Sequence, residues 1–559
     1  MIGELLMETP VQYTRFFYDW TFIQGKPELG WKCQRRDGKR FRLDACINLD
    51  KLCDTPPVPD VEEAVLYADF EVENDGTAFI GLGCNWCLEA YCDGVLIKST
   101  FDTGNGQAYV FPSNHRVFFP VTAGHHLMAI HVRRGRDNWD FACGYTTLVA
   151  PPEPKLTYGP WLTNPDVGKM TIAFSCETPL GAAIRYRKVG ENEWQTVWHH
   201  RQGQCIRRTY HAIALTGLEP GMEYDYQIIV IHPDKYIEVQ LGETHRFRVP
   251  DFQRHSYSFF FTADLQFPLE RQHVIFGKML EAAEASTCDF FVLDGDVNSA
   301  FLPEDVIRGP FAQLCEYGAA EKPIVYVRGN HEMRGEHGDR FLDFFATNIG
   351  TTYDVIRIGD TAFLLLDSWE DKPAKTPGHT YCQWNMDSWF LDAETSWLKT
   401  AMEDNKWTGA KRRIVICHSA PYSHFDGCRY LPFVLQKMTD PFFEGEKPAS
   451  PLNLWLAGHV HRYLRSIPGT DDIAAEVLPP PPFKGGKTYK YPVLTVGGPG
   501  ANRNIQASCF RVDADEDGFT IKSWDQNGEL LEHLRYGNDG TCQEIVALPH
   551  FTLIPDPKG

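Results

Sequence analysis

Six residues of metal-ligating type stand at the ends of apolar runs. SFFFTA leads into Asp264, FFVLDG into Asp296, IVYVRG into Asn330, RIVIC into His418, and LWLAG into His459 and His461. Two carboxylates, one amide and three imidazoles make a mixed oxygen and nitrogen donor set of the kind that Mn, Fe or Zn accepts. The set is larger than one tetrahedral site needs, so it implies two ions. His459 and His461, two residues apart in an extended segment, point the same way and can serve neighbouring ions. Gly295, Gly329 and Gly458 each precede a ligand, where the chain can turn tightly and approach closely. Taken singly, a strand-end Asp is an ordinary helix cap and a lone His an ordinary core residue. Their joint occurrence in this order points to a metal centre.

Donors at strand ends need strands whose carboxyl ends open on one crevice. From about residue 255, fully apolar runs (SFFFTA, FFVLDG, IVYVRG, AFLLLD, RIVICH, LWLAG) alternate with helical segments such as RQHVIFGKMLEAAEAS and AETSWLKTAMEDN. That texture predicts sheets buried on both faces, with an active crevice at the carboxyl ends of the strands. From residue 490 the pattern returns to strands (YPVLTVGG, CFRVDAD, FTIKSWD), and residues 541–559 read as an irregular tail. Ahead of this α/β region, residues 1–150 read as an all-β sandwich, with AVLYADFEV, TAFIGLGC, LEAYCDGVLI, HRVFFPV and HHLMAIHVRR separated by turn signals. PPEP at 151–154 is a stiff linker, and residues 151–250 form a second β-rich module of short strands.

Composition narrows the function further. Fifty-four Lys and Arg against seventy-four Asp and Glu leave a net charge of −20, which repels polyanions and argues against a long nucleic-acid track. A short oligonucleotide or mononucleotide stays open. No stretch approaches a membrane span, and MIGELLMETPVQYTRFF lacks the n- and h-regions of an export signal, so a cytoplasmic location is expected. The sixteen cysteines are scattered and are expected to be reduced; Cys84 and Cys87 form a lone CxxC without the second pair that a zinc site requires. Oligomeric state is not legible.

The series D-x-Q at Asp264, GD at Asp296, GNHE at 329–332, the strand-end His418 and GHVH at 458–461 resembles the calcineurin-like metallophosphoesterase superfamily, over roughly residues 255–540. The run LTGLEPGMEYDYQI is similar to fibronectin type III domains, usually spacers, and such a module just ahead of the catalytic one looks like the layout of purple acid phosphatases. Residues 1–150 resemble galactose-binding-like jelly rolls in pattern, which makes that module a candidate for glycan contact. The resemblance implies a four-layer α/β fold, two central sheets flanked by helices, with a dinuclear centre at its rim. Asp264, Asp296 and His461 would hold one ion, and Asp296, Asn330, His418 and His459 the other, with Asp296 bridging.

Two departures from the family pattern stand out. Gln266 occupies the place of a His, so the first site is either looser or completed by water, with Gln266 a candidate ligand. Ser299 occupies the place of the Tyr of purple acid phosphatases, so no Fe(III) phenolate colour is expected. The implied reaction is attack of a hydroxide held between two divalent or trivalent ions on a small phosphorylated substrate, monoester or diester. His331, outside both ligand sets, is free to donate a proton to the leaving oxygen or to bind a phosphoryl oxygen, with Asp294 or Glu332 to orient it. Arg334, Arg462, Tyr422 and Tyr463 are candidate substrate contacts, together with Trp369 and His424; the two arginines rank first because a guanidinium fork matches phosphate. The rival reading is a binding protein for a glycan or a partner, its phosphoesterase domain weakened, with Gln266 and Ser299 as the scars.

Overall fold

The computed structural model describes residues 19–44, 46–72, 75–106, 109–146, 153–232, 237–372, 386–421, 430–444, 451–470, 472–475, 489–500 and 504–552. The chain divides into two compact units, Met1–Pro154 with Ile231–Val239, and Lys155–Val230 with Gln240–Gly559.

Among the described residues the first unit holds two antiparallel sheets, of six and four strands. Glu63–Val72 and Gly124–Arg133 lie at the centre of one, Gly76–Cys84 and Asp140–Thr146 at the centre of the other. Leu66 and Ile130 from the first and Ile80 and Leu82 from the second meet in one core with Trp20 and Trp139. Alternate residues of each strand face inward, as a sandwich requires.

The second unit is built on two sheets. We label its main strands β1 (Leu156–Asp166), β2 (Lys169–Lys188), β3 (Tyr257–Thr262), β4 (Phe290–Asp294), β5 (Ile324–Val327), β6 (Thr361–Leu366), β7 (Arg412–Cys417), β8 (Leu454–Ala457), β9 (Val493–Thr495) and β10 (Ser508–Asp515). β3, β4 and β5 pair in parallel, with β10 antiparallel on the far side of β3. In the other sheet β6, β7, β8 and β9 run parallel in that order. Phe259, Phe261, Val292 and Val325 of the first sheet meet Phe363, Leu365, Ile414 and Leu456 of the second in one core. The intervening residues face the other way. Phe260, Phe291 and Leu293 pack on α1 (Leu269–Ala282), and Leu364, Val415 and Trp455 share a core with Leu398 of α2 (Asp387–Ala401). This is the helix, sheet, sheet, helix order, and it accounts for strands that are apolar on both faces.

Two expectations change. The module at 151–250 is joined to the catalytic sheet, because β1 pairs in parallel with β5 at Thr163 and Ile324. Asp166, fully buried at the end of β1, accepts Arg357 N at 3.0 Å and pairs with Lys406, and Tyr226 Oη donates to Ala320 O at 2.7 Å. The presumed tail is not irregular where it is described. Cys542–Val546 pairs with Leu530–Gly537, and His550–Thr552 pairs with Asp472–Ala475, since a free sheet edge is better satisfied by the remaining chain than by water alone.

Candidate metal centre

The ligand-bearing turns leave β3, β4, β5, β7 and β8 at their carboxyl ends. Asp264, Asp296, His459 and His461 have φ of 55°, 51°, 67° and 52°. Four non-glycine residues in the left-handed region at one place is costly, and such strain persists where the surroundings over-determine it, typically at functional sites. Two glycines make the crowding possible. A Cβ on Gly329 would sit 2.4 Å from Asp296 Oδ1, and one on Gly458 2.5 Å from Asp264 Oδ2.

The carboxylates are each fastened by one oxygen and aimed by the other. Asp264 Oδ2 accepts His459 N at 2.8 Å, and Asp296 Oδ1 accepts His331 N at 2.8 Å. Asp264 Oδ1 then lies 3.1 Å from His461 Nε2 and 3.8 Å from His418 Nε2, and Asp296 Oδ2 lies 3.1 Å from His418 Nε2. The imidazoles are oriented from behind: His418 Nδ1 donates to Asp294 O, and His461 Nδ1 to Pro499 O at 2.8 Å. A carbonyl on one ring nitrogen fixes the tautomer that offers the other to a metal. Among the described residues, Asp264, Asp296 and His461 form one group of convergent donor atoms and Asp296, His418 and His459 another, each within 4.8 Å. Asp296 belongs to both. Asn330 Oδ1 joins the second group through His459 Nδ1 at 2.9 Å.

Two observations fit cations here. Asp264 Oδ1 and His418 Nε2 are buried with no hydrogen bond among the described residues, although they approach oppositely charged neighbours; they converge on shared space more than on each other. Asp264, Asp296 and His418 are also at most 1% exposed, and two buried carboxylates side by side need positive charge. The imidazoles carry part of it: burial opposes protonation of His418, but Asp296 and Asp264 hold its pKa well above the ordinary range. Burial likewise opposes ionisation of Asp296, and His418 and His331 outweigh it, so its pKa falls well below the carboxylate range.

Each remaining candidate finds a definite place. Gln266 Nε2 donates to Asp296 Oδ2 at 3.0 Å, while its Oε1 is buried without a hydrogen bond among the described residues; the amide touches the cluster. His331, with its side chain 23% exposed, lies 3.8 Å from Asp296 Oδ2. Neither Asp294 nor Glu332 orients it. Glu332 is turned inward, accepting Asp296 N, Val297 N, Gly329 N and Tyr326 Oη at 2.8, 3.0, 2.9 and 2.9 Å. His331 Nδ1 meets Ser299 O at 2.7 Å, and Nε2 meets Arg334 Nη1 at 2.7 Å.

Several substrate candidates do other work. Arg334 is engaged by Glu370 and Asp371. Tyr463 is fully buried between the sheets, its hydroxyl donating to Glu532 Oε2 at 2.7 Å, because two residues past His461 the strand has entered the core. Trp369 stacks on Phe390 with ring centroids 4.1 Å apart and is buried. Arg462 is half-buried beside the ligands in sequence. Tyr422 and His424 lie outside the described residues. Glu370 and Asp371 escaped the sequence reading. The available signal was AFLLLD, a sixth apolar run ending in an acidic segment, SWED.

A further group, Cys92, Asp93 and His126 in the first unit, is closed as an ion pair. His126 Nδ1 is 2.6 Å from Asp93 Oδ2 and Nε2 is 2.8 Å from Thr122 O. No helix among the described residues is long and apolar enough to cross a membrane.

Residues 257–463 match the family model of the calcineurin-like phosphoesterases. No curated protein matches the chain. Among solved structures, a purple acid phosphatase from seeds of yellow lupin (Lupinus luteus) is similar, at 13% identity and a TM-score of 0.47, over 89% of this chain and 93% of that one. PhoD is similar at 11% identity and a TM-score of 0.47, over 73% of this chain and 95% of its own. With the matched segment spanning β3 to the GHVH turn and its donors converging at the strand ends, the chain carries a calcineurin-like metallophosphoesterase domain.

Proposed function

We propose that the chain hydrolyses a phosphomonoester or a small phosphodiester at a centre of two metal ions. Asp264, Asp296 and His461 would hold one ion, and Asp296, Asn330, His418 and His459 the other. The observation that carries this reading is the sharing of Asp296 between two groups of donors. Bound there, the ions supply Lewis-acid polarisation of water and of the phosphoryl oxygens, and neutralise the charge that develops in the transition state. Manganese, iron and zinc all suit the donors.

The chain's own residues do the rest. Backbone N–H groups of His459 and His331 fix the two carboxylates before substrate arrives, so no reorganisation is needed at the moment of reaction. Gln266 holds Asp296 Oδ2 by its amide. His331 is the half-open group at the rim; with its Nε2 released from Arg334 Nη1, it would donate a proton to the leaving oxygen or bind a phosphoryl oxygen.

The test is reconstitution of metal-free protein with Mn, Fe or Zn, followed by metal analysis and turnover of p-nitrophenyl phosphate and bis-p-nitrophenyl phosphate. Two ions per chain and turnover abolished in Asp296→Asn are expected. Fewer than one ion per chain, or turnover that survives Asp296→Asn, overturns the reading.

A further inference from the structure

The strands Gln195–Trp198 and Arg207–Thr216 both pair with β2. Between them in sequence, Gln202 and Gly203, with φ of 50° and 85°, turn His200–Arg201 back on Gln204–Cys205 in a tight hairpin. Residues 194–218 hold three arginines and three histidines, with no Asp, Glu or Lys. In a chain of net charge −20 this is a local reversal of sign. Elsewhere in the same module Arg187 and Arg246 share Asp225, but Arg201, Arg207 and Arg208 meet no carboxylate among the described residues.

Two imidazoles stand among these cations. His211 is fully buried, and its Nε2 donates to Arg208 O at 3.0 Å, so its Nδ1 carries the lone pair and accepts from His199 Nδ1 at 2.8 Å. Nε2 is therefore the nitrogen of His199 left to take a proton. Burial lowers the pKa of His199, and Arg208, His200 and Arg201 lower it further. Burial and the neighbouring His199 hold His211 at about 4. Tyr210 Oη donates to Phe344 O at 2.8 Å, which fastens the strand that carries Arg207 and Arg208 to the rest of the unit.

We propose that Arg201 and Arg208, with His199, form an anion site apart from the metal centre, one that takes the phosphate groups of a multiply phosphorylated ligand. Every full charge at this place is a guanidinium, whose planar fork fits two phosphoryl oxygens. The chain supplies no carboxylate there, so a multivalent oxyanion is the counter-charge that satisfies both arginines and draws a proton to His199 Nε2. Arg207 is the built-in control. Next to Arg208 in the same strand, it points to the opposite face. Free polyphosphate and the headgroup of an acidic phospholipid present the same chemistry. The inference does not rest on the reaction proposed above.

The experiment uses metal-free, full-length protein at low salt in two arms: calorimetric titration with sodium tripolyphosphate, and co-sedimentation with vesicles of phosphatidylcholine and phosphatidic acid, pure phosphatidylcholine serving as blank. Arg201→Gln and Arg208→Gln are each expected to weaken binding about 10- to 100-fold, the range of one charge-assisted hydrogen bond, while Arg207→Gln changes it little. Arg208→Lys, which keeps the charge without the fork, serves if Arg208→Gln folds poorly. Losses confined to the tripolyphosphate arm identify a soluble ligand, and losses confined to the vesicle arm a lipid surface. Binding in neither arm overturns the proposal, as does binding that survives Arg201→Gln and Arg208→Gln together. Equal weakening by Arg207→Gln also overturns it, since that marks a diffuse field and not a site. A readout independent of affinity is the NMR titration of the His199 ring, identified by the signal lost in His199→Gln. Its pKa should rise when the probe binds to wild type and stay in place in the double arginine variant; an unmoved titration in wild type counts against the proposal.

Discussion

Replacing Glu332 by Gln tests how the ligand turns are built. The carboxylate is 1% exposed and takes four donors: Asp296 N and Gly329 N on Oε2, Val297 N and Tyr326 Oη on Oε1. Burial and the nearby charge of Asp296 push its pKa upward, whereas four convergent donors favour the anion, and we take the donors to decide. A glutamine can offer an oxygen to only one side. With the oxygen kept toward Asp296 N and Gly329 N, the amide N–H₂ faces Val297 N–H, and Tyr326 Oη can rotate to accept. That leaves one buried N–H and one amide N–H opposed, each costing about 1–3 kcal/mol, so a loss of about 3 kcal/mol is expected. This is a large part of the about 5–15 kcal/mol available to a domain. Urea denaturation of metal-free protein at pH 7, followed by tryptophan fluorescence, measures it, and metal titration should show both ions weakened because Val297 N, next to the shared Asp296, is no longer anchored. If Glu332→Gln is as stable as wild type, the carboxyl is protonated at neutral pH and does not serve as the four-fold acceptor.

Three further outcomes follow from the same structure. Gln266→His should place a stronger donor beside Asp264, tightening the first ion and shifting preference toward Zn; unchanged affinity for both ions in a titration of metal-free protein would remove Gln266 from the ligand set. Burial raises the Asp354 carboxyl to about 6, against the pull of Lys406. The native state therefore holds its proton above pH 3.8, and wild-type stability should fall between about pH 4 and 6 relative to Asp354→Asn, by about 3 kcal/mol in all. Urea midpoints for the two proteins that move in parallel across that window would contradict this. Lys406→Met leaves the buried Asp166 carboxylate without its cation, and a loss of about 3 kcal/mol is expected; a variant denaturing with wild type would mean that backbone donors such as Arg357 N suffice.

Much of the centre was legible because its information is local. Apolar strands followed directly by Asp, Asn or His need only sequence order to be read, and Asp264, Asp296, Asn330, His418, His459 and His461 do come together at the strand ends. The four-layer order was legible for the same reason: runs such as SFFFTA and RIVICH leave no polar face, so both sides must be covered. Residues that depend on direction were less legible. Tyr463 and Arg334 have the right type and stand near the ligands in sequence, yet one turns into the core and the other into a salt bridge.

The amino-acid sequence by itself determined the donor types, their order and the strands that deliver them, because ligand chemistry and apolar periodicity are properties of short segments. Only the tertiary structure decided that Asp296 is shared, that Gln266 touches it by the amide, that Ser299 O and Arg334 hold His331, and that the 151–250 module is hydrogen-bonded into the catalytic sheet. Apart from Arg334 and His331, three residues apart, those contacts join residues distant in the chain, through a backbone carbonyl, an amide or a strand pairing. A carbonyl carries no side-chain signature, and a charge does not declare its partner until the fold has brought the two within reach.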